Sequence, residues 1–96
     1  MDIVTFIASL KNEVPPEDIS VYLIALWYDA KGDWDNSHTT IQDVDSKNAE
    51  WIHAYLHRKE GDSFNADYWY RRAGKKRPDS TLSEEWNELV MAMLEQ

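Results

Sequence analysis

An internal repeat without gaps constrains the fold of this 96-residue chain more than any other feature. Residues 25–38 (ALWYDAKGDWDNSH) align on residues 54–67 (AYLHRKEGDSFNAD). In each copy a Gly-Asp pair separates two segments whose apolar residues recur with helical spacing. Glycine directly after such a segment is typical of a helix end. The repeat therefore predicts two antiparallel helical hairpins, over residues 18–45 and 47–78.

Small residues at matching positions would let the two helices of each hairpin cross closely beneath the Gly-Asp turn: Ala25 matches Ala54, and Ser37 matches Ala66. The helices predicted inside the hairpins cover about 17–31, 34–44, 47–60 and 63–74.

A further helix is predicted at each end of the hairpins, over residues 3–13 and 82–95. The first places its apolar residues on one face and stops before two prolines. The second follows Thr81 and Glu84, whose spacing is typical of a capping box. No run of β-branched residues alternates with polar ones, so no sheet is expected. We predict an all-α protein, a compact bundle of about six helices in one domain, residues 1–96.

The composition excludes several function classes. The chain contains no cysteine, so disulfides, thiolate metal sites and cysteine nucleophiles are ruled out. A formal net charge of −8 argues against binding to nucleic acid, which requires cations that neutralise phosphates. No apolar run approaches the roughly 18 residues that span a bilayer, and no basic segment precedes the apolar start. We therefore expect no membrane or nucleic-acid partner and a cytoplasmic location.

The basic residues are unevenly distributed. Half of the ten Lys and Arg residues lie between positions 71 and 77: Arg71, Arg72, Lys75, Lys76 and Arg77. Cations at a helix C-terminus complement the helix dipole, and this is the simpler interpretation. A patch that binds phosphate or an acidic partner is the alternative.

The hairpins resemble the tetratricopeptide repeat. In the second copy, small, aromatic and proline positions of that pattern are occupied by Ala54, Ala66, Tyr70, Ala73 and Pro78. In the first copy they are occupied by Ile24, Ala25, Tyr28, Ser37, Ile41 and Val44. The copies differ from the pattern in their 29-residue spacing, and the second copy carries His53 and His57 where Leu and Tyr are usual. The resemblance implies a surface that binds another protein.

Residues 34–74 are also similar to a family of small microbial and fungal proteins with no assigned activity. The residues that carry this similarity are His38, Gln42, His53, His57, Arg58, Glu60, Asn65, Ala66, Tyr68, Trp69, Arg71 and Arg72. The similarity implies no reaction. It indicates that these polar residues belong together.

Helical projection places the histidines of this set at the margin of the apolar faces. His53, His57 and Glu60 share one stripe of their helix, His38 and Gln42 share another, and the next helix adds two flanking polar residues. The candidate ligand-binding residues are His38, Gln42, His53, His57, Arg58, Glu60, Asn65 and Arg72.

Three roles are open for these histidines. They could be structural, they could hold a metal, or one could act as a general base. Carboxylate-x-x-His spacings occur at Asp35–His38 and Glu50–His53, but the glutamate of the zinc-hydrolase motif is missing.

We predict a protein-interaction or scaffold module, without an assigned metal or cofactor and leaning towards no enzymatic activity. The alternative is a small-ligand, metal or catalytic site built from His38, His53 and His57.

Overall fold

Six α-helices and one short 3-10 helix make up the chain, and there is no strand. The computed structural model describes all of residues 1–96. The helices are α1 (Ile3–Ala8), α2 (Val21–Ala30), α3 (Trp34–Ile41), α4 (Lys47–Lys59), α5 (Ser63–Arg72) and α6 (Leu82–Leu94), and the 3-10 helix Ser9–Lys11 follows α1. The predicted all-α bundle of about six helices is confirmed.

Every α-helix begins at a side-chain cap. The residue before each helix accepts a hydrogen bond from the backbone amide three positions on, which satisfies one of the free N–H groups of the first turn. These caps are Asp2, Ser20, Asp33, Ser46, Asp62 and Thr81. At α6 the bond is reciprocal, since Glu84 Oε1 accepts from the Thr81 amide at 2.9 Å. The predicted capping box is therefore present.

Glycine ends the two helices that lead into the Gly-Asp turns. Gly32 has φ +80° and Gly61 has φ +87°, a region that residues with a Cβ rarely adopt. The amides of Gly61 and Asp62 donate to the carbonyls of Arg58 and His57, which is the Schellman pattern. The aspartate that completes this turn is also the cap of the next helix, so each Gly-Asp pair closes one helix and opens another.

Three predicted helix boundaries differ from the structure. The first helix, predicted over residues 3–13, ends at Ala8 and is followed by the 3-10 helix Ser9–Lys11. The second helix begins at Val21 rather than near residue 17, because Ser20 caps it and Asp18 adopts a positive φ of 61°. The third helix ends at Ile41 rather than near residue 44.

Helix α4 lies at the centre of the fold. It packs against α5 in one hairpin and against α3 and α2 in the other, while α6 covers α2 and α4. Ile52, Ala54 and Leu56 of α4 are fully buried. In the α2–α3 hairpin the Ser37 hydroxyl donates to the Ala25 carbonyl at 2.6 Å, so small residues do allow a close crossing. None of the helices has the length and apolar character needed to cross a membrane.

Candidate functional site

Three histidines, which are all the histidines of the chain, converge where α3 meets α4. His38 Nε2 lies 3.0 Å from His53 Nε2. The ring of His57 is centred 4.8 Å from that of His53 and 5.5 Å from that of His38. One ring nitrogen from each residue lies within 4.8 Å of the other two. We refer to His38, His53 and His57 as the histidine cluster.

Helix geometry and two tryptophans hold the cluster in place. His53 and His57 are four residues apart on α4 and therefore point to the same side. Trp34, one turn before His38 on α3, stacks on the His38 ring at 4.7 Å and 9°. Its indole N–H donates to the Leu56 carbonyl at 2.8 Å, which fixes the indole against α4. Trp69 of α5 stacks on His53 at 4.0 Å and 17°.

A carboxylate orients His57. The Nδ1 atom of His57 lies 2.6 Å from Glu60 Oε2, a distance at which an N–H donates to a carboxylate. This bond requires a proton on Nδ1, so that in the neutral ring the lone pair lies on Nε2. Histidines that bind metals in proteins usually make such a bond from the second nitrogen.

The environment of His53 and His38 favours the neutral form of these two rings at pH 7. Burial, with smaller contributions from repulsion by His38 and His57, lowers the pKa of His53 to about 4. The pKa of His38 is also lowered, first by burial and then by His57. Neutral imidazole is the form that binds a metal ion. Since the two Nε2 atoms at 3.0 Å cannot both accept, one of these rings carries its proton on Nε2.

Arg58 lies away from the histidine cluster, although its neighbour in sequence is part of it. Its Nη1 donates to Glu85 of α6 at 2.8 Å, and its Nη2 donates to the Ser80 carbonyl. Glu85 is 1% exposed and also accepts hydrogen bonds from Trp51 and Tyr70. Arg58 therefore belongs to a buried polar network between α4, α5 and α6.

Three other candidate residues, Asn65, Arg72 and Gln42, do not contribute a side chain to the histidine cluster. The Asn65 amide donates to Asp62 Oδ2 at 2.6 Å as part of the Gly-Asp turn. Arg72 donates to Glu50 at 2.7 Å, and its guanidinium lies 5.1 Å from the centre of the Trp69 ring, at the edge of the cluster. Gln42 is exposed and its side chain makes no hydrogen bond within the protein. Of the eight candidates, the structure brings together the three histidines and Glu60.

The carboxylate-histidine spacing does not produce a carboxylate-rich metal site. Glu50 is bound by Arg72, and the Asp35 carboxylate is not among the groups that meet the histidines. Neither nearby serine is free to act as a nucleophile: the Ser37 hydroxyl is buried and donates to the Ala25 carbonyl, and Ser63 Oγ accepts from Arg77 at 3.0 Å. The donor set is three imidazoles with one supporting carboxylate.

The contribution of the two tryptophans was not anticipated from the sequence. Trp34 precedes His38 by four residues, a spacing at which two aromatic rings on a helix can stack. That spacing could have indicated the contact. The stacking of Trp69 on His53 depends on how α4 and α5 pack, and no local pattern indicates it.

No protein-family model matches the chain, and the comparisons with curated proteins and with solved structures found no match. The resemblance to tetratricopeptide repeats and the cytoplasmic location stay predictions.

Proposed function

We propose that the protein binds a divalent transition-metal ion through His38, His53 and His57. The observation that carries this proposal is the convergence of three ring nitrogens within 4.8 Å of one another. Imidazole is a favoured ligand of zinc, copper, nickel and iron, whereas calcium and magnesium prefer oxygen. A set of three imidazole nitrogens, with no carboxylate among the ligands, therefore favours zinc, copper, nickel or iron.

The distances suit such an ion. A tetrahedral zinc ion holds each imidazole nitrogen at about 2.0–2.1 Å, which separates two such nitrogens by about 3.3 Å. The His38 and His53 nitrogens lie 3.0 Å apart, so this pair needs only a small outward shift. The His57 nitrogen lies within 4.8 Å of both and has to move closer to them when the ion binds. Binding would replace one hydrogen bond between imidazoles by two bonds to the metal.

The surroundings support the same role. Glu60 orients His57, the two indoles restrict the rings of His38 and His53, and the lowered pKa values keep these two imidazoles deprotonated. Three protein ligands leave a fourth position of a four-coordinate ion for water or a small ligand.

The test is a zinc titration of metal-free protein at pH 7, followed by calorimetry and by NMR of the imidazole nitrogens. We expect one ion per chain and shifts of all three rings at the same zinc concentration. His57→Gln should abolish binding in the micromolar range. Glu60→Gln should weaken it by about 10- to 100-fold, because it replaces the orienting carboxylate by a neutral, weaker acceptor.

Glu88→Gln is the matched control, because Glu88 is an exposed carboxylate on α6 that makes no salt bridge. It should leave the zinc affinity unchanged. Zinc binding that survives loss of His57, or no binding at millimolar zinc, would contradict the proposed site.

A second candidate function is binding of a protein partner, and one observation favours it. On the outer face of α5, Phe64 is 84% exposed and Tyr68 is 41% exposed, one helical turn apart. Arg71 and Arg72 follow on the same helix. Exposed aromatic residues beside cations suit a partner segment that carries apolar and acidic side chains.

The corresponding test compares variants in a pull-down. A partner that uses this face should be captured by the native protein and by a Val4→Ser, Met91→Ser control, which removes exposed apolar residues elsewhere. The Phe64→Ser, Tyr68→Ser variant should not capture it. Equal capture by both variants would exclude this face.

A further inference from the structure

A cleft with basic walls lies at the C-terminal end of α5. The segment after Gly74 folds back along the helix, and Arg77 fastens it there. Arg77 Nε lies 3.0 Å from Asp67 Oδ1, and its Nη1 donates to Ser63 Oγ at 3.0 Å. The cleft has a volume of about 400 Å³ and is lined by Asp67, Tyr70, Arg71, Lys75, Lys76 and Arg77.

Only one of the cations that line this cleft forms a salt bridge. Four cations and one carboxylate line it, and that carboxylate, Asp67, is paired with Arg77. Arg71, Lys75 and Lys76 form no salt bridge. The Lys75 ammonium lies 4.0 Å from the centre of the Trp51 ring, at an adjoining groove that Lys75 and Lys76 share with Glu85 and Glu88. The chain has 18 acidic and 10 basic residues, so three cations without a salt bridge around one cleft are unusual in it.

Stabilisation of the C-terminus of α5 does not explain why three unpaired cations lie there. The last carbonyls of the helix already accept hydrogen bonds: the carbonyls of Tyr70 and Arg71 from the backbone amides of Lys75 and Gly74, and that of Arg72 from the Lys47 ammonium. The helix dipole corresponds to about half an elementary charge at this end, well below the charge of three cations.

We propose that this cleft binds a small molecule that carries phosphate groups. The planar guanidinium of Arg71 can donate to two oxygens of one phosphate, while Lys75 and Lys76 add point charges. The volume lies within the range of small-molecule sites, which favours a compact ligand over a long chain. None of these residues belongs to the histidine cluster, so this proposal stands or falls independently of metal binding.

The test uses inorganic pyrophosphate as the probe, followed by ¹H–¹⁵N NMR in metal-free, low-salt buffer. A parallel titration with sodium chloride at the same ionic strength provides the reference. We expect saturable shifts confined to residues 67–77 with pyrophosphate and no saturation with chloride. Lys76→Gln should weaken binding about fivefold or more, and Arg71→Lys, which keeps the charge but removes the fork, should weaken it about as much.

Lys11→Gln is the matched control, because Lys11 is exposed, forms no salt bridge and lies in the 3-10 helix near the start of the chain. It should change the affinity by less than about twofold, as expected for a charge outside the site. All of these positions are exposed, so the melting temperature should not change. If Lys11→Gln weakens binding as much as Lys76→Gln, or if chloride reproduces the shifts, the cleft is not a phosphate site.

Discussion

Loss of the Glu85 carboxylate should be among the most damaging single changes in this protein. Glu85 is 1% exposed and accepts hydrogen bonds from Trp51 Nε1 at 3.2 Å, from the Tyr70 hydroxyl at 2.7 Å and from Arg58 Nη1 at 2.8 Å. The burial of Tyr70 and its bond to Glu85 raise the pKa of that phenol above its ordinary value, so it remains a donor. One carboxylate thus links α6 to both helices of the second hairpin.

The magnitude follows from what remains after the change. Glu85→Ala leaves the indole, the phenol and the guanidinium without this acceptor, and only Arg58 keeps another bond, to the Ser80 carbonyl. Removing one partner of a buried ion pair costs about 3–5 kcal/mol. We expect a loss of about 4 kcal/mol, a large part of the roughly 5–15 kcal/mol that stabilises a small domain.

Urea unfolding of the native protein, Glu85→Ala, Arg58→Met and the double variant measures this directly. The double-mutant cycle should give a coupling energy of about 1–3 kcal/mol between Arg58 and Glu85, because they are in contact. Glu88→Gln, one turn further on α6 and exposed, should change the free energy of unfolding by less than about 0.5 kcal/mol.

Two results would refute this reasoning. A cost below about 1 kcal/mol for Glu85→Ala would show that the network is not needed for the fold. A loss of zinc binding in Arg58→Met, without loss of stability, would show that Arg58 serves the binding site, as the sequence predicted, and not the buried network.

Three further predictions concern the turns and the histidines. Gly61→Ala and Gly32→Ala should each reduce the free energy of unfolding by about 1 kcal/mol, since both glycines have positive φ; an unchanged melting temperature would contradict this. In metal-free buffer, stability should fall as the pH is lowered from 7 to 5, because His53 has a pKa near its ordinary 6.5 when unfolded and about 4 when folded, so the unfolded state binds the proton. The contribution of His53 over that interval is about 2 kcal/mol, and a native protein as stable at pH 5 as at pH 7 would exclude it. In thermal melts, purely structural histidines should each cost about 1–3 kcal/mol when changed to Ala, whereas at a binding site at least one of the changes at His38, His53 and His57 should be neutral or stabilising.

The helices could be predicted because their signals are local. Cap residues, Gly32 and Gly61 act within four residues of the helix end that they form, and the repeat placed both turns correctly. The early start assigned to the second helix illustrates the limit. Whether the chain enters a helix after Pro16 or turns first at Asp18 depends on how the segment before α2 packs, and the sequence pattern allowed both.

The candidate site was partly predictable for the same reason. Helical projection correctly placed His53, His57 and Glu60 on one face, since that depends only on their spacing along α4. The distance of 3.0 Å between His38 and His53 depends on how closely α3 approaches α4, which no local pattern specifies.

The sequence by itself determined the all-helical class, the two Gly-Asp turns and the set of side chains available to the histidine cluster, because spacing and capping act through neighbours along the chain. Tertiary structure alone decided the partners of those side chains. Arg58 binds Glu85, which is 27 residues away, rather than the adjacent histidines, because α6 packs against that side of α4. Lys75 and Lys76 line a cleft together with Arg71 because Arg77 returns to Asp67. Such choices depend on packing between distant segments, where many polar partners are chemically equivalent and only the folded geometry selects one.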